Sequence, residues 1–559
     1  MLLIKIEVFV NLVQWSDRLF CFIFADSMQQ LETYLQKYPG RSFFILLLMA
    51  LPPFIINLGL LPLFADESTR ANVALEMIIS HNYAVPTIGG EYYYNKPPLY
   101  NWILAGLYLL TGSFSEFVTR LPALIPMFLF AITIYYTVNY FLKSRHIGAI
   151  SGLFFLVNGR MLIYDSMLGH IDIFYSWLTY LSFMSIFYFY QRKQWFNLFF
   201  FSYLITAATF LAKGLPSLVF QGFSIVALLI YTKNFKKIIS WQHIISGVIC
   251  LLIISAYFVN YHQHNPNLEG YFSTIWDQSS RRTPVQTGLG KTLLYVVSFP
   301  FEHLFHLFPV SILVLFCLHG QFWRGLMNNE FLKFITIIFL ANIWVYWLSP
   351  ETRPRYLLML YPLVFIVWAH AFYTYRSELP KINKTVKYMF LGLAAVVTLG
   401  LPAAFFFELD TFVSYLPLKV SIVFAASAFF TWLIYRFKTE YILPFIGFLL
   451  VVRLAFSWFV LPHRLHHGES NYYRGAAIEV GKITDGKLLY FYQYKPGLLD
   501  IPFHDRLIFY MERTRMQKVK FVATDAMPGY YFTFDRDLKN PEAELIKLYE
   551  GNLKLFRVK

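Results

Sequence analysis

Three groups of residues have the type and spacing to do chemistry. The first is Asp66-Glu67, two adjacent carboxylates placed directly after a long apolar run. A carboxylate at such a boundary can take a proton from a hydroxyl or hold a nucleophile in line. Neighbours on a helix point about 100° apart, so the two need not share a role. Local chemistry alone also gives Asp66 a place as an N-cap and Glu67 a place at the positive end of the following helix. The second group is the turn YDSMLGHIDIFYSW, in which Asp165 and Asp172 flank His170. Ionisable groups beside apolar runs are costly to keep and default to a functional reading, with capping and interfacial solvation as the structural alternative. The third group is cationic: Lys96, then Arg281 and Arg282 in WDQSSRRTP, then Arg353, Arg355 and Tyr356 in SPETRPRYLLMLYP. Arginine grips phosphate as a fork and lysine as a point charge. Each alone equally suits an ordinary headgroup contact; the set suits a clamp on a lipid-linked phosphate.

Other constellations are weaker. Glu302 and His306 stand at i, i+4, but two ligands are too few for a metal site, and lining a cavity is the better reading. The histidines of HQH (262–264) and HRLHHGE (463–469) read as solvated loop and linker residues. Cys21, Cys250 and Cys317 fit no zinc or redox spacing. The chain contains no GxxxxGK[ST] phosphate loop, no GxGxxG turn opening a soluble helix and no GxSxG elbow, which excludes a nucleotide-driven pump.

The elements that must position these groups are membrane helices. The 559 residues are 57% hydrophobic and only 14% charged, against about 25% charged in a soluble protein. Composition therefore excludes an ordinary soluble enzyme, a disordered tail and a disulfide scaffold. About 20 apolar residues at about 1.5 Å rise cross a bilayer core of roughly 30 Å. Spans are predicted near 43–63, 121–142, 147–163, 172–190, 196–212, 215–231, 243–261, 294–318, 331–348, 355–375, 386–407, 418–436 and 440–461, about 13 in all. The net charge of +15 belongs to orientation rather than to nucleic acid. Lys143, Arg145, Arg192, Lys193, Lys233, Lys236, Lys237, Arg376, Lys381 and Lys384 fall in alternate loops. Asp66, Glu67, Glu76, Glu91, Glu116, Asp165, Asp172, Glu269, Asp277, Glu351, Glu408 and Asp410 fall in the others. That alternation is the positive-inside pattern.

Three regions follow. Residues 1–42 are a cytoplasmic segment in which Met28 reads as the true start, because 1–27 makes a poor signal peptide. Residues 43–462 are the membrane region. Residues 463–559 are a small α/β domain on the outer face, with strands at KLLYFYQY, KVKFVAT and GYYFTF and a helix at HDRLIFYMER. The outer loop 64–120 is long enough to be functional. Its stretch 67–80 suits an interfacial helix, and Pro97-Pro98 starts a second. Tyr92, Tyr93, Tyr94, Tyr100 and Trp102 suit interfacial anchors, with stacking on a sugar face as the alternative.

An Asp-Glu pair after the first span, a YYYNKPPLYNW segment and a DSML/HID turn after the third span together resemble bacterial GT-C glycosyltransferases. These are polyprenyl-phosphate-sugar-dependent enzymes related to protein O-mannosyltransferases and lipid A aminoarabinose transferases. The resemblance covers about 43–375. It implies Asp66 as the principal catalytic carboxylate with Glu67 beside it, and Asp172, or else Asp165, as the second loop carboxylate. It implies Lys96 on the donor's lipid phosphate, with Arg281 or Arg282 and Tyr356 completing the clamp. The aminoarabinose transferases have an acid immediately before KPP where this chain has Asn95, which puts any metal or acceptor role of that acid in doubt here. The implied partners are a polyprenyl-phosphate sugar donor, a lipid A, glycan or protein acceptor, and membrane lipids. No cofactor is required by the pattern, and a divalent metal stays open. The rival readings are a secondary transporter or flippase of a lipid-linked precursor, with Arg453 as the one clear intramembrane charge, and a non-catalytic assembly partner.

Overall fold

The computed structural model describes residues 29–280, 288–350, 352–492 and 504–559. Met28, Arg281, Arg282 and Glu351, which the sequence singles out, lie outside the described residues.

The chain is a helical membrane protein capped by a small sheet. Helix α1 (Pro39–Ile55) starts on a proline, whose missing N–H costs nothing in a first turn. It ends at Ile55, short of the expected 43–63, and turns carry the chain to the acidic pair. There follow α2 (Asp66–Ser80), the hairpin of β1 (Thr87–Ile88) and β2 (Glu91–Tyr92), and α3 (Leu99–Thr111). Then come α4 (Glu116–Leu142), α5 (Arg145–Val157), α6 (Ile171–Gln191), α7 (Trp195–Lys213) and α8 (Pro216–Tyr231). Among the described residues, seven helices are long and apolar enough to cross a membrane, or up to ten if each bent pair is one span. Others of the 13 expected spans are shorter or more polar helices. α6 carries Asp172 and many hydroxyls, α8 has 16 residues, and helix Tyr361–Tyr375 has 15. The expected single crossing at 294–318 is instead two pieces bent by 119°. The break falls at Pro309, which has no N–H to continue a helix.

The largest apolar core lies between α1, α4, α5, α6 and the later helices. α5 is small-sided where it meets α4: a Cβ on Gly152 would stand 2.6 Å from the Ala131 carbonyl oxygen. Close backbone approach through small residues is how membrane helices gain packing without a hydrophobic drive.

Helix α2, expected at an interface, is covered by protein. It is buried along most of its length, including Glu67, Arg70, Asn72 and Glu76. Its roof is the C-terminal region. There β3 (Leu489–Tyr492), β4 (Lys520–Val522), β5 (Gly529–Phe534), β6 (Glu544–Leu548) and β7 (Leu553–Val558) form a sheet in the order β4-β3-β5-β7-β6. β3 runs parallel to β4 and β5, and β7 antiparallel to β5 and β6. A parallel neighbour needs a crossover, and helix His504–Arg515 lies between β3 and β4 in sequence. That helix sits on α2: Thr69 donates to Asp505 Oδ2 at 2.6 Å, and Asn72 donates to the Asp505 carbonyl at 2.5 Å.

Replacing Gly152 by Val should push α4 and α5 apart and lower stability by about 1–3 kcal/mol. Thermal unfolding in detergent reads this as a lower Tm. Gly106→Val, at a position with nothing within 4 Å, should leave Tm unchanged. Equal shifts would contradict the packing.

Candidate active site

Four separated stretches meet at the face that carries loop 64–120. Asp66 opens α2, because Ala65 before it takes φ 53° and reverses the chain. A non-glycine residue holds that region only when its surroundings impose it. Asp172 lies in the first turn of α6, Lys213 is the last residue of α7, and Arg355 sits in the short helix Pro354–Leu357.

Their side chains form one chain of charge. Asp66 Oδ2 pairs with Arg355 Nη2. Arg355 Nε lies 3.1 Å from Asp172 Oδ2, and Asp172 Oδ1 accepts from Lys213 Nζ at 2.5 Å. The Lys213 ammonium stands 4.4 Å from the ring centre of Tyr356 and 4.7 Å from that of Tyr175. Arg355, Asp172 and Lys213 are almost fully buried, whereas the Asp66 side chain is 57% exposed. The three innermost groups carry one positive charge in excess, and Asp66, the most exposed member of the row, balances it. Burial alone would raise the Asp66 carboxyl; Arg355, His170 and Arg353 outweigh it and hold the group below its ordinary value. His170, 3.4 Å from Arg355 Nη1, is pushed down to about 4 by its burial and by that guanidinium, so it is neutral at pH 7.

Asp66 is therefore not the N-cap that local chemistry allowed. The cap position is Ala65, no side chain caps it, and the carboxylate goes to Arg355. Glu67 turns the other way. Fully buried, it binds Arg120 Nη2 at 2.8 Å and Nε at 3.1 Å, and accepts the Gly169 N–H at 2.7 Å. Arg120 is further held by the Leu58 and Pro62 carbonyls. Glu67 thus ties the acidic turn to the turn before α6 and keeps Asp66 in register with Asp172. Asp165 is also buried, but its partner is Arg160 at 2.7 Å.

Lys96 precedes Pro97, which packs on Gly214, the neighbour of Lys213: a Cβ on Gly214 would stand 4.0 Å from Pro97 Cδ. Tyr100 locks the same segment by donating to the Gly169 carbonyl at 3.0 Å. Arg353 is exposed and close enough to Asp66 to lower its pKa. Arg281 and Arg282 lie outside the described residues. Most loop aromatics serve packing: Tyr93 bonds Arg70, and Trp102 donates to the Tyr83 carbonyl at 2.7 Å. Tyr92 is the exposed one, at 49%.

Lys213 is a member of this row that the sequence reading does not single out. The available signal was a charge at the end of a predicted span. Arg453, singled out as an intramembrane charge, has a structural place: it donates to the carbonyls of Leu162 at 2.6 Å and Pro53 at 3.3 Å. Glu302 and His306 bond each other at 3.3 Å, and the histidines 463, 466 and 467 stack around Phe412. Among the described residues, no three His, Cys, Asp or Glu side chains are grouped to hold a metal ion. A separate cavity of about 250 Å³ lies between Phe64, Arg120, Tyr164 and Arg464, and Asp66 does not line it.

Comparison with known proteins adds three findings. Residues 95–259 match the model of the dolichyl-phosphate-mannose-protein mannosyltransferase family. The undecaprenyl phosphate-alpha-4-amino-4-deoxy-L-arabinose arabinosyl transferase of Shewanella sediminis is 26% identical over 253 residues, 42% of this chain. The match spans 44% of that relative's length, less than half. The crystal structures of ArnT from Cupriavidus metallidurans, in the apo state and bound to undecaprenyl phosphate, superpose with a TM-score of 0.64 at 16% identity. The superposition covers 92% of this chain and 97% of ArnT. At that identity the likeness is one of fold. These findings, with the helical architecture and its small C-terminal sheet, show that the chain shares the fold of ArnT.

Proposed function

We propose that the protein is a glycosyltransferase of the bacterial inner membrane, moving a sugar from a polyprenyl-phosphate donor to an envelope acceptor on the periplasmic side. The observation that carries this reading is the half-exposed Asp66 carboxylate at the end of a buried row of Arg355, Asp172 and Lys213. The alternation of basic and acidic loops supports the sidedness, with loop 64–120 and residues 463–559 outside. ArnT's bound undecaprenyl phosphate and the curated relative's name favour an isoprenoid phosphate donor. Hexose or pentose, and lipid A, glycan or protein as acceptor, are choices within the same chemistry.

In the reaction an acceptor oxygen attacks the anomeric carbon from the side facing Asp66. The bond from that carbon to the phosphate oxygen breaks, and the electron pair leaves with the polyprenyl phosphate. One displacement inverts the anomeric centre. An acceptor hydroxyl would pass its proton to Asp66; an acceptor phosphate is already anionic and would only be oriented. Lys96, Arg353 and Arg355 stand to offset the negative charge that grows on the leaving phosphate, as preorganised cations do best. Arg355 also explains how a weak base becomes useful. Paired with Arg355, Asp66 binds a proton poorly. A donor phosphate that draws the guanidinium away raises the basicity of Asp66 as the substrate arrives.

A transporter reading would need an ionisable path near mid-membrane. Arg453, held by two backbone carbonyls, is better suited to joining helices.

Asp66→Asn should fold and insert normally and lose transfer by at least about a hundredfold, measured as polyprenyl phosphate released from labelled donor in detergent. Full activity would remove the assignment. Lys96→Ala should raise the donor KM more than it lowers kcat; an unchanged donor dependence would remove the phosphate contact. The acid limb of kcat/KM should lie below about pH 4, the ordinary carboxylate value. Arg355→Gln should move that limb upward, because burial then acts on Asp66 without its largest counter-charge. An unmoved limb would contradict the pairing.

A further inference from the structure

At the opposite face, α4 and α6 part to leave a groove of about 700 Å³. The 27 residues of α4 separate it from the Asp66 end by roughly 40 Å at about 1.5 Å per residue. Its walls are apolar and aromatic toward the membrane, with Tyr136, Leu181 and Phe189 among them, and Tyr136 is 55% exposed. Its mouth is cationic. Lys143 and Arg145 line it, and Arg192 joins from the end of α6.

These cations are organised rather than scattered. The Arg192 guanidinium lies 3.9 Å from the ring centre of Tyr188, bonds the Tyr188 hydroxyl, and donates to the Tyr140 hydroxyl at 3.1 Å. The Lys143 ammonium stands 4.5 Å from the Tyr140 ring centre. Two groove tyrosines therefore hold two cations at one height, by cation–π attraction and hydrogen bonds. Among the described residues no carboxylate lies within salt-bridge distance of Lys143, Arg145 or Arg192. Elsewhere on this face Arg376 has Glu440 at 3.0 Å and Lys333 has Glu330 at 3.1 Å. The groove thus combines a band of positive charge without counter-ions and an apolar cleft beneath it. Loop orientation needs the charge but not the cleft or the tyrosine clamps.

We propose that this groove binds an acidic phospholipid of the adjoining leaflet. The phosphate would sit among Lys143, Arg145 and Arg192, and an acyl chain would lie in the cleft between α4 and α6. Basic pockets between helices at a membrane surface take anionic headgroups in this way. The occupant differs from the isoprenoid donor in position: the groove opens at the face remote from Asp66. No bond is made or broken there, and the site acts by holding α4 and α6 together at their far ends.

The test is native mass spectrometry of the full-length protein from detergent holding equal phosphatidylglycerol and phosphatidylcholine. Wild-type protein should retain phosphatidylglycerol preferentially; equal retention of the two lipids overturns the proposal. Lys143→Gln/Arg192→Gln should lower phosphatidylglycerol retention by at least about fivefold, while Lys381→Gln/Lys384→Gln, also on this face, should keep it. Undiminished retention in the groove variant, or equal loss in the control, overturns the site. If the double variant does not stay monodisperse, Arg145→Gln serves, since that residue is exposed, and it is read by the same two results. Displacement of the lipid by excess inorganic phosphate would assign a free-anion site and overturn the lipid reading.

Discussion

A buried guanidinium shared by two carboxylates is the constraint on which this protein's architecture turns. Arg355 reaches Asp66 on one side and Asp172 on the other, and Asp172 in turn holds Lys213. None of the three innermost charges would be tolerable alone in an apolar setting, because desolvation costs several kcal/mol per ion and removing one partner strands another. The four groups come from stretches separated by up to 289 positions. The helices therefore need to end at one height, and the turns that carry the charges need to be fixed. Glu67 supplies that fixing. Its carboxylate joins Arg120 to the Gly169 N–H, so that the acidic turn and the turn before α6 move as one piece. Adjacent carboxylates have thereby divided the work: Asp66 faces outward and Glu67 holds the frame.

The same logic explains the roof. Helix α2 starts the site, yet it is a polar helix with polar groups on every side, and such a helix is stable only when each is paired. Glu76 accepts from Thr87 and Gly90 within the loop and meets Lys518 of the C-terminal sheet region at 3.2 Å. At the other end, Glu116 gathers Arg474 at 3.2 Å, Arg513 at 3.3 Å and the Tyr510 hydroxyl at 3.0 Å. Glu512, buried beside Glu76, is pushed well above the ordinary carboxylate range by desolvation and then by that neighbour. The C-terminal region is thus part of what positions Asp66, through ion pairs rather than through a shared apolar core alone.

Composition and periodicity made the helical class legible, and the residues now seen together at the site were mostly those whose charge sat beside an apolar run. Asp66, Asp172 and Arg355 stood out that way. Lys213 carried the same signal, a charge at the end of an apolar run, and was passed over. The direction of Glu67 was not readable, because it depends on Arg120, a residue 53 positions away. The spans were least legible where local apolarity is a poor guide: α6 keeps an acid and many hydroxyls, and the bend at Pro309 divides what hydropathy joins. The burial of α2 was hidden because the partner that covers it lies more than 400 positions along the chain. Strands β6 and β7 were missed; among the described residues β6 pairs only with β7, across a register shift, at the sheet's edge.

The most direct measurement of the central claim is an electron cryomicroscopy structure of the protein with polyprenyl phosphate bound. The phosphate should lie at the face of loop 64–120, within hydrogen-bond reach of Lys96 or Arg355, with the Arg355–Asp66 pair lengthened relative to the unbound protein. A phosphate seated at the opposite face, or one that leaves Arg355 on Asp66 and touches neither cation, would contradict the account.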